Sequence, residues 1–390
     1  MLQVRFPITL AAVVLLSNLT QWIAHANPSC VLSVSGKMLC CAANDLECLA
    51  KVQKAHAEPD PSAETSPPVL VNPAEPRMLS LLYTFGNTSV WDRSSPFDVI
   101  VVGVPFGLES GYEAPGLQLV RRLSSHAGSY SMLYGASMQD LVVVDGQDLV
   151  VTGLALERLA QLEAVTAPMF AKQRPVIAMG GDQFITYALT NVAKSVIGEF
   201  AIVHIDKDLS IGMGSREQGL GSTSALFWGA AKSLFDTRHS LHLGQRGNLP
   251  SQRVHLIDQE LGFETITAED IALKGIREVL DRVRARLQRR DGTFMPAYIS
   301  LDLDVLEPHA FPSAEVGGLT VTQLRAMLGG MRPFCRVVGA DLRDVAMLED
   351  PATAQVAATI LQDLVLLSGI RPESAVTSPP IKPSGTGSEL

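Results

Sequence analysis

The residues of this chain best suited to chemistry are two aspartates, Asp302 and Asp304, at the end of an apolar run that begins at Ala297. Side chains two positions apart on a β-strand lie on the same side, so both carboxylates are expected to face the crevice at the carboxyl end of a parallel sheet. Aspartate is almost never fully buried without a partner. The pair therefore indicates a metal ion, a cationic substrate or both, unless the two acids only cap the following loop.

Similar clusters of acids, amides or glycines follow other predicted strands. Together with the aspartate pair they are Gly180–Gln183, His204–Asp208, Gly244–Gly247, Asp302–Asp304 and Asp341–Asp344. The carboxyl ends of parallel strands share one edge of the sheet, so these clusters are expected to converge. One such cluster is usually turn chemistry, whereas several converging clusters favour an active or binding site.

The elements that must position these residues alternate along the chain. Short apolar runs predict strands at Val99–Val104, Leu141–Val144, Val176–Met179, Phe200–Ile205, Ser240–Leu243, Ala297–Leu303 and Val337–Asp341. Apolar residues at helical spacing predict helices at Leu154–Lys172, Ile185–Val196, Ser224–Leu234, Thr267–Arg289, Thr320–Met331 and Ala354–Leu367. Capping boxes are expected at the starts of the helices at Thr267 and Thr320. This alternation predicts one α/β domain with a mostly parallel sheet.

Composition limits the function class. The chain has 390 residues, is 47% hydrophobic and carries a formal net charge of −9, so it can bury a large core and is a poor candidate for binding nucleic acid. We divide it into a signal peptide (1–26), a short Cys-rich segment (27–52), a disordered linker (53–76), a folded domain (77–370) and a disordered tail (371–390).

The first 26 residues are typical of a cleavable secretory signal. Arg5 supplies the positive charge, Ile8–Leu16 the apolar run and Ala24–Ala26 the cleavage site. The run is short for a membrane span, although an uncleaved anchor is the alternative. No other stretch is apolar enough, so we expect a mature chain without a membrane span on the secretory route or outside the cell.

Four of the five cysteines lie just after this site. In an oxidising compartment such a cluster indicates two disulfides, with the connectivity left open, among Cys30, Cys40, Cys41 and Cys48. Cys335 stands alone in a predicted apolar strand and is expected to be a buried thiol. The segment Asn87-Thr88-Ser89 makes Asn87 a candidate glycosylation site.

Taken together, the motifs resemble the ureohydrolase family of arginases, agmatinases and formiminoglutamases, and they are most similar to agmatinases. The resemblance covers most of the chain from Val99 to Leu367 and rests on these segments: Val102-Gly103-Val104-Pro105-Phe106 with Gly111 and Pro115-Gly116, Asp145 to Asp148, Gly180-Gly181-Asp182-Gln183, Asp206-Lys207-Asp208-Leu209-Ser210, Ser300-Leu301-Asp302-Leu303-Asp304, Glu307-Pro308 and Gly317-Gly318-Leu319-Thr320. It implies a three-layer α/β/α fold with a mostly parallel sheet, the arginase-like ureohydrolase fold.

The resemblance also implies a chemistry. In this family two bridged divalent ions, usually manganese, present a hydroxide to the guanidinium carbon of the substrate. At the positions of the family's ligands, Asp206, Asp302 and Asp304 keep the family residue, whereas Gln183, Asp208 and Ser210 replace His, His and Asp.

These replacements leave the metal content open. One metal position is lined by carboxylates from Asp206, Asp208, Asp302 and Asp304, which suit Mn²⁺, Mg²⁺ or Ca²⁺. The other would combine the neutral oxygens of Gln183 and Ser210 with the shared Asp206 and Asp302, which is a poor site for a divalent ion. We therefore expect one bound ion or none. Lys207 offers another counter-charge, unless its ammonium points into solvent.

Other positions bear on the substrate. Asp344 falls where many family members place a Glu that grips the guanidinium, so we assign it to substrate binding and catalysis, and we also assign Asp208 a catalytic role. The segment Leu220-Gly221-Ser222 aligns loosely with the family's HGT segment, whose proton-shuttling His is missing here. His204 and His309 are expected to pack or to lie at the surface rather than to bind metal.

The functional expectation is a ureohydrolase-family protein with a degraded binuclear metal site, impaired or inactive in guanidino C–N hydrolysis. The alternative is an active metal-dependent hydrolase of an agmatine-like guanidino or formimino compound, using a single or altered metal site. Whether the chain is an enzyme stays open. The expected partners are a small guanidino-type cation and, by resemblance, further copies of the same chain.

Overall fold

The computed structural model describes residues 30–32, 38–40, 77–79, 83–105, 114–125, 128–150, 155–213, 219–312, 316–346 and 348–370. The predicted signal peptide, linker and C-terminal tail lie outside these residues, as do Cys41 and Cys48. The chain divides into two units, 1–72 and 73–390. In the first, β1 (Cys30–Leu32) pairs antiparallel with β2 (Met38–Cys40), with Cys30 opposite Cys40. Both disulfides and their pairing remain predictions.

The second unit is built around one large sheet. Its strands are β3 (Arg77–Leu79), β4 (Ser89–Val90), β5 (Val99–Val104), β8 (Val143–Val150), β9 (Val176–Gly180), β10 (Ala201–Ile205), β11 (Leu241–Gln245), β12 (Glu264–Thr267), β13 (Ala297–Asp302) and β14 (Val337–Arg343). The order is β12-β11-β10-β13-β14-β9-β5-β8-β3, with β4 beside β8. Every pairing in it is parallel except that of β3 with β8. The mostly parallel sheet is confirmed. A small separate hairpin joins β6 (Tyr130–Ser131) to β7 (Ala136–Ser137).

Helices cover both faces of the sheet. They are α1 (Pro115–Ser124), α2 (Ala155–Phe170), α3 (Phe184–Ile197), α4 (Ala225–Ala231), α5 (Gln252–Leu261), α6 (Ala268–Leu287), α7 (Val321–Met331) and α8 (Pro351–Gly369). Residues of α1, α6, α7 and α8 form one apolar core, and residues of α2 to α5 form the other. The three-layer α/β/α arrangement is confirmed.

The strands read as continuous apolar runs because both of their faces are buried. In β5, Val99 and Val101 belong to the first core, whereas Ile100 and Val102 belong to the second. The same alternation places polar residues that are two positions apart on the same face of the sheet, which positions the site described below.

Two helices begin at the capping residues that the sequence predicts. The α7 helix has a reciprocal capping box between Thr320 and Gln323. At α6 the Thr267 hydroxyl accepts from the Asp270 backbone N–H, which is one half of the predicted box. Cys335 is a buried free thiol, but it lies in the turn after α7 rather than in a strand.

Within the described part of the chain, one helix, α8, is long and apolar enough to cross a membrane. Two thirds of its apolar window (67%) is buried inside the protein, and residues such as Leu361 and Leu364 belong to the first core. Its hydrophobicity is therefore accounted for by packing against the sheet.

Candidate active site at the strand ends

A column of polar side chains lies at the carboxyl ends of three adjacent strands. The β10 strand leads to His204 and Asp206, β13 carries Ser300 and Asp302, and β14 carries Asp341 and Arg343. The parallel register places Ser300 between His204 and Asp341, and Asp302 beside Arg343. The convergence expected from the sequence is therefore present for these clusters.

Three carboxylates meet at the centre of this column. Asp206, Asp302 and Asp304 each offer an oxygen within 4.8 Å of the others. The β13 strand ends at Asp302, one residue earlier than predicted, and Asp304 lies in a turn of 3₁₀ helix. Its position depends on the hydrogen bond from its backbone N–H to Asp302 Oδ1 (2.8 Å), so strand alternation alone does not place it.

The guanidinium of Arg343 lies against two of these acids. Its Nη1 is 2.8 Å from Asp302 Oδ2, and its Nη2 forms a short contact with Asp206 Oδ2. Burial raises the pKa of Asp206, but Arg343 and His204 outweigh it and bring the pKa below its usual value. Burial also raises the pKa of Asp302, and there Arg343 offsets it only in part.

A third buried acid, Asp341, also lies beside Arg343. Asp341 Oδ1 lies 3.6 Å from Arg343 Nε. The hydroxyl of Tyr298 donates to Asp341 Oδ2 (2.8 Å), and that of Ser300 donates to Oδ1 (2.9 Å). These bonds hold the carboxylate in place, so the arginine side chain is surrounded by fixed acceptors.

Gln183 and Ser210, two of the substituted ligand positions, bond to each other and to protein groups. Gln183 Nε2 donates to the hydroxyls of Thr186 (3.1 Å) and Ser300 (3.2 Å), and its Oε1 accepts from the Ser210 hydroxyl (3.2 Å). His204 Nε2 lies 3.3 Å from the same Oε1. Ser210 adopts a left-handed backbone (φ 52°), which a non-glycine residue rarely does.

Lys207 and Asp208 occupy the rim. The Lys207 ammonium lies 2.8 Å from Asp208 Oδ2 and 3.5 Å from Asp304 Oδ2, so it faces the carboxylates rather than pointing away. The Asp208 side chain is 61% exposed, and it is not part of the close group formed by the other three acids.

Asp344 follows directly after β14 and faces the same space. Its backbone is left-handed (φ 61°), and its N–H donates to the carbonyl of Gly181 (3.2 Å). Asp344 is exposed to the cavity, and the protein that surrounds it and then the neighbouring Asp302 raise its pKa to about 7. Burial, with Asp302 and Asp206, raises the pKa of Asp304 to about 10. Both shifts reflect more acids in this space than cations to match them.

A cavity of about 440 Å³ opens beside the cluster, within the range of small-molecule sites. Its lining combines acids, among them Asp208, Asp304 and Asp344, with apolar residues. The apolar lining residues include Leu209, Ile211, Met213, Leu249, Pro250 and Val254. A second cavity of about 490 Å³ lies at the opposite edge of the sheet, beside Pro175 and Val337, away from these carboxylates.

The described residues do not fit two divalent ions. The ligand set that the family resemblance implies contains two histidines, and no histidine lines this cavity among the described residues. The Gln183 amide is committed to protein hydroxyls, and the facing oxygens of Asp206 and Asp302 are committed to Arg343. The predicted ligands Asp206, Asp302 and Asp304 do come together, but the Arg343 guanidinium lies against Asp206 and Asp302, and the Lys207 ammonium lies near Asp304.

No role was assigned from the sequence to Arg343, nor to His242 and Asp258, which form a buried pair beneath the site. Arg343 was visible only as a cation between two acids at a strand end. His204, expected to be a packing residue, is fully buried with its Nε2 3.0 Å from Asp206. His309 is 76% exposed beside Glu307, as expected of a surface residue.

The chain is similar to known proteins in sequence and in fold. The chain is 27% identical over 332 residues to a putative agmatinase (agmatinase 3) of Schizosaccharomyces pombe, covering 74% of this chain and 80% of that one. It is 26% identical over 290 residues to the agmatinase of Salmonella paratyphi B, covering 71% and 89%. Its fold matches proclavaminate amidino hydrolase from Streptomyces clavuligerus with a TM-score of 0.66 at 21% identity, covering 74% and 98%.

The family model of the arginase family matches residues 97–367, a span that contains every site residue described above. Members of this family generally bind Mn²⁺ and guanidino substrates and are typically oligomers. This chain belongs to the arginase family.

Proposed function

We propose that this chain binds a small guanidino-type cation at the strand ends without hydrolysing it. The observation that carries the proposal is the composition of the cavity lining, in which acids outnumber the nearby cations Arg343 and Lys207 and are accompanied by apolar residues. A guanidinium suits such carboxylates because it presents paired N–H donors to their oxygens. The apolar residues suit an aliphatic chain attached to that head.

Asp344 is the group assigned to the ligand's cationic head. The surrounding protein and then the neighbouring acids raise its pKa, and a bound cation would relieve the repulsion from those acids. Hydrolysis is left out of the proposal because a metal-bound hydroxide needs ions that this donor set does not suit.

A second candidate function is hydrolysis with a single or altered metal site. It is favoured by the close approach of the oxygens of Asp206, Asp302 and Asp304. Its substrate would be a guanidino or formimino compound of the agmatine kind.

One experiment separates the two. Agmatine and arginine are titrated into the purified protein by calorimetry, and urea release is measured with and without added Mn²⁺. We expect agmatine to bind, Asp344→Asn to weaken binding, and no urea to form. The control is Asp281→Asn, which removes the same charge from an exposed position on α6. Urea release with turnover would favour the second candidate, and no binding of either ligand would contradict the first.

The route of the protein is also a proposal. We propose that the signal is removed after Ala26 and that the mature chain enters the secretory pathway. N-terminal sequencing of the mature protein tests this. We expect Asn27 as the first residue, and Met1 at the N-terminus would contradict it.

A further inference from the structure

Arg343 is a charged side chain in an unusual place. It is the last residue of β14, it is 3% exposed, and the parallel register sets it directly beside Asp302. Arginine is almost never fully buried unless it is paired, and it cannot lose its charge inside a protein. Its burial therefore requires acids around it.

Two of the three acids that surround it, Asp206 and Asp302, are residues that the sequence assigns to metal ligands. Nη1 forms an ion pair with Asp302 Oδ2 at 2.8 Å, and Nη2 forms one with Asp206 Oδ2. Nε lies 3.6 Å from Asp341 Oδ1. The planar guanidinium thus joins the two carboxylates that would bridge a pair of ions. A divalent ion would need the same oxygens at roughly 2.0–2.6 Å.

We propose that Arg343 is the resident cation of this cluster and takes the place of divalent metal. The guanidinium occupies the oxygens of Asp206 and Asp302, and its positive charge repels any ion that approaches them. Lys207 adds a second positive charge at the rim, 3.5 Å from Asp304. Arg343 and Lys207 thus offset part of the negative charge of the cluster with side chains of the same chain.

A neighbouring arginine provides a matched control. Arg246 is also buried, 4% exposed, and lies close to the same loop. Its guanidinium donates to the backbone carbonyls of Asp304, Val305 and Leu306, and to none of the clustered carboxylates in the hydrogen bonds of the described residues. Removing Arg246 therefore removes a buried cation while leaving the ion pairs of the cluster intact.

The experiment compares the full-length wild type, Arg343→Met and Arg246→Met. Each is dialysed against Mn²⁺ and then buffer, bound metal is measured by elemental analysis, and affinity is measured by calorimetry with Mn²⁺ alone. We expect the wild type and Arg246→Met to hold no stoichiometric metal. Arg343→Met is expected to gain about one Mn²⁺ per chain, with an affinity more than about tenfold above that of the wild type, because a repelling charge has gone.

Two results would overturn the inference: stoichiometric Mn²⁺ in the wild type, or a folded Arg343→Met protein that binds no more metal than Arg246→Met. If Arg343→Met does not fold, Arg343→Lys keeps a single charge but loses the paired contact. It should then bind Mn²⁺ more tightly than the wild type, and unchanged binding would count against the inference. This inference deepens the proposed function of the same site but fails separately, because metal content is measured without agmatine.

Discussion

The Nδ1 atoms of His204 and His242 lie 2.8 Å apart in the core beneath the site. His204 Nε2 faces Asp206 at 3.0 Å, so it must carry a proton, and burial lowers the pKa of His204 to about 4, which leaves its Nδ1 bare. His242 must then donate from its own Nδ1. Its Nε2 lies 3.1 Å from Asp258, so His242 links the buried His204 to a buried carboxylate.

His242 and Asp258 therefore form a fully buried pair. Burial raises the pKa of Asp258, but His242 and the Thr265 hydroxyl outweigh it, so Asp258 stays ionised. We expect His242→Gln to lower the free energy of unfolding by about 3–5 kcal/mol, because it leaves a buried charge without its partner. Urea unfolding followed by circular dichroism measures this.

The control is a pair of the same length at the surface. His239 lies 3.1 Å from Asp236, and both side chains are partly exposed. His239→Gln should cost about 0–1 kcal/mol. Equal losses in the two variants would show that the buried pair contributes no more to stability than the exposed one.

The affinity of the cavity for a guanidino cation should depend on pH through Asp344. Its pKa is raised to about 7, so it gains a negative charge as the pH rises through that value, while the guanidinium stays positive throughout. Agmatine should therefore bind more tightly about one unit above pH 7 than about one unit below it. Calorimetry at both values measures the change.

Asp344→Asn should flatten this profile and leave the weaker affinity at both pH values. The effect on stability without ligand has the opposite sign. Because the folded-state pKa of Asp344 lies above 3.8, the folded protein binds the proton more tightly than the unfolded chain, and this group's contribution to stability falls as the pH rises from about 4 through about 7. A pH profile that Asp344→Asn leaves unchanged would refute the assignment.

The loop that carries Asp304 depends on a glycine. Gly318 has a φ of 119°, and a Cβ there would lie 2.8 Å from the backbone of Leu306 and Glu307. Gly317 also has a positive φ (82°), but the nearest atom to its Cβ would be Arg246 Cδ at 3.9 Å. Both alanine substitutions should cost about 1–2 kcal/mol in backbone strain. Gly318→Ala should cost about 1–3 kcal/mol more because of the clash.

Urea unfolding of Gly317→Ala and Gly318→Ala gives the difference directly. The loop is fixed by backbone bonds from Leu319 to Val305 and from Glu307 to Leu319, both 3.0 Å long, so it has little room to move aside. Equal losses in the two variants would mean that the strand end tolerates a shift in the Asp304 loop.

Restoring the family's ligands should not restore a metal site while Arg343 is present. The relevant variant combines Gln183→His, Asp208→His, Ser210→Asp and Leu220→His. We expect it to hold little Mn²⁺, and to bind about two ions per chain only after Arg343→Met is added. Elemental analysis of both proteins measures this, with Arg246→Met in place of Arg343→Met as the control. Full metal loading of the variant that keeps Arg343 would contradict the prediction.

The sequence predicts much of the fold because local patterns determine it. A strand buried on both faces is a run of apolar residues, and β9, β10 and β13 begin and end within a residue or so of the predicted positions. The α1 and α5 helices and the β12 strand were missed because they are largely polar on average and lack the long apolar runs that the prediction used.

The site was predictable only as far as each residue could be judged alone. Asp206, Asp302 and Asp304 were identified because acids at strand ends are unusual by themselves. The role of Arg343 depends on the register between β13 and β14, and that of His242 on the pairing of β10 with β11. Such relationships join residues far apart in the chain, and no local pattern contains them.

A counterion that belongs to the polypeptide cannot dissociate. The charge balance around Asp206 and Asp302 is set when β14 joins the sheet, so the site forms in the same step as the fold and needs no ion from solution. EDTA should therefore leave the melting temperature of the wild type unchanged, whereas a metal-built centre would lose stability as its ion is withdrawn. The stability of this chain should therefore not depend on the supply of manganese in its surroundings.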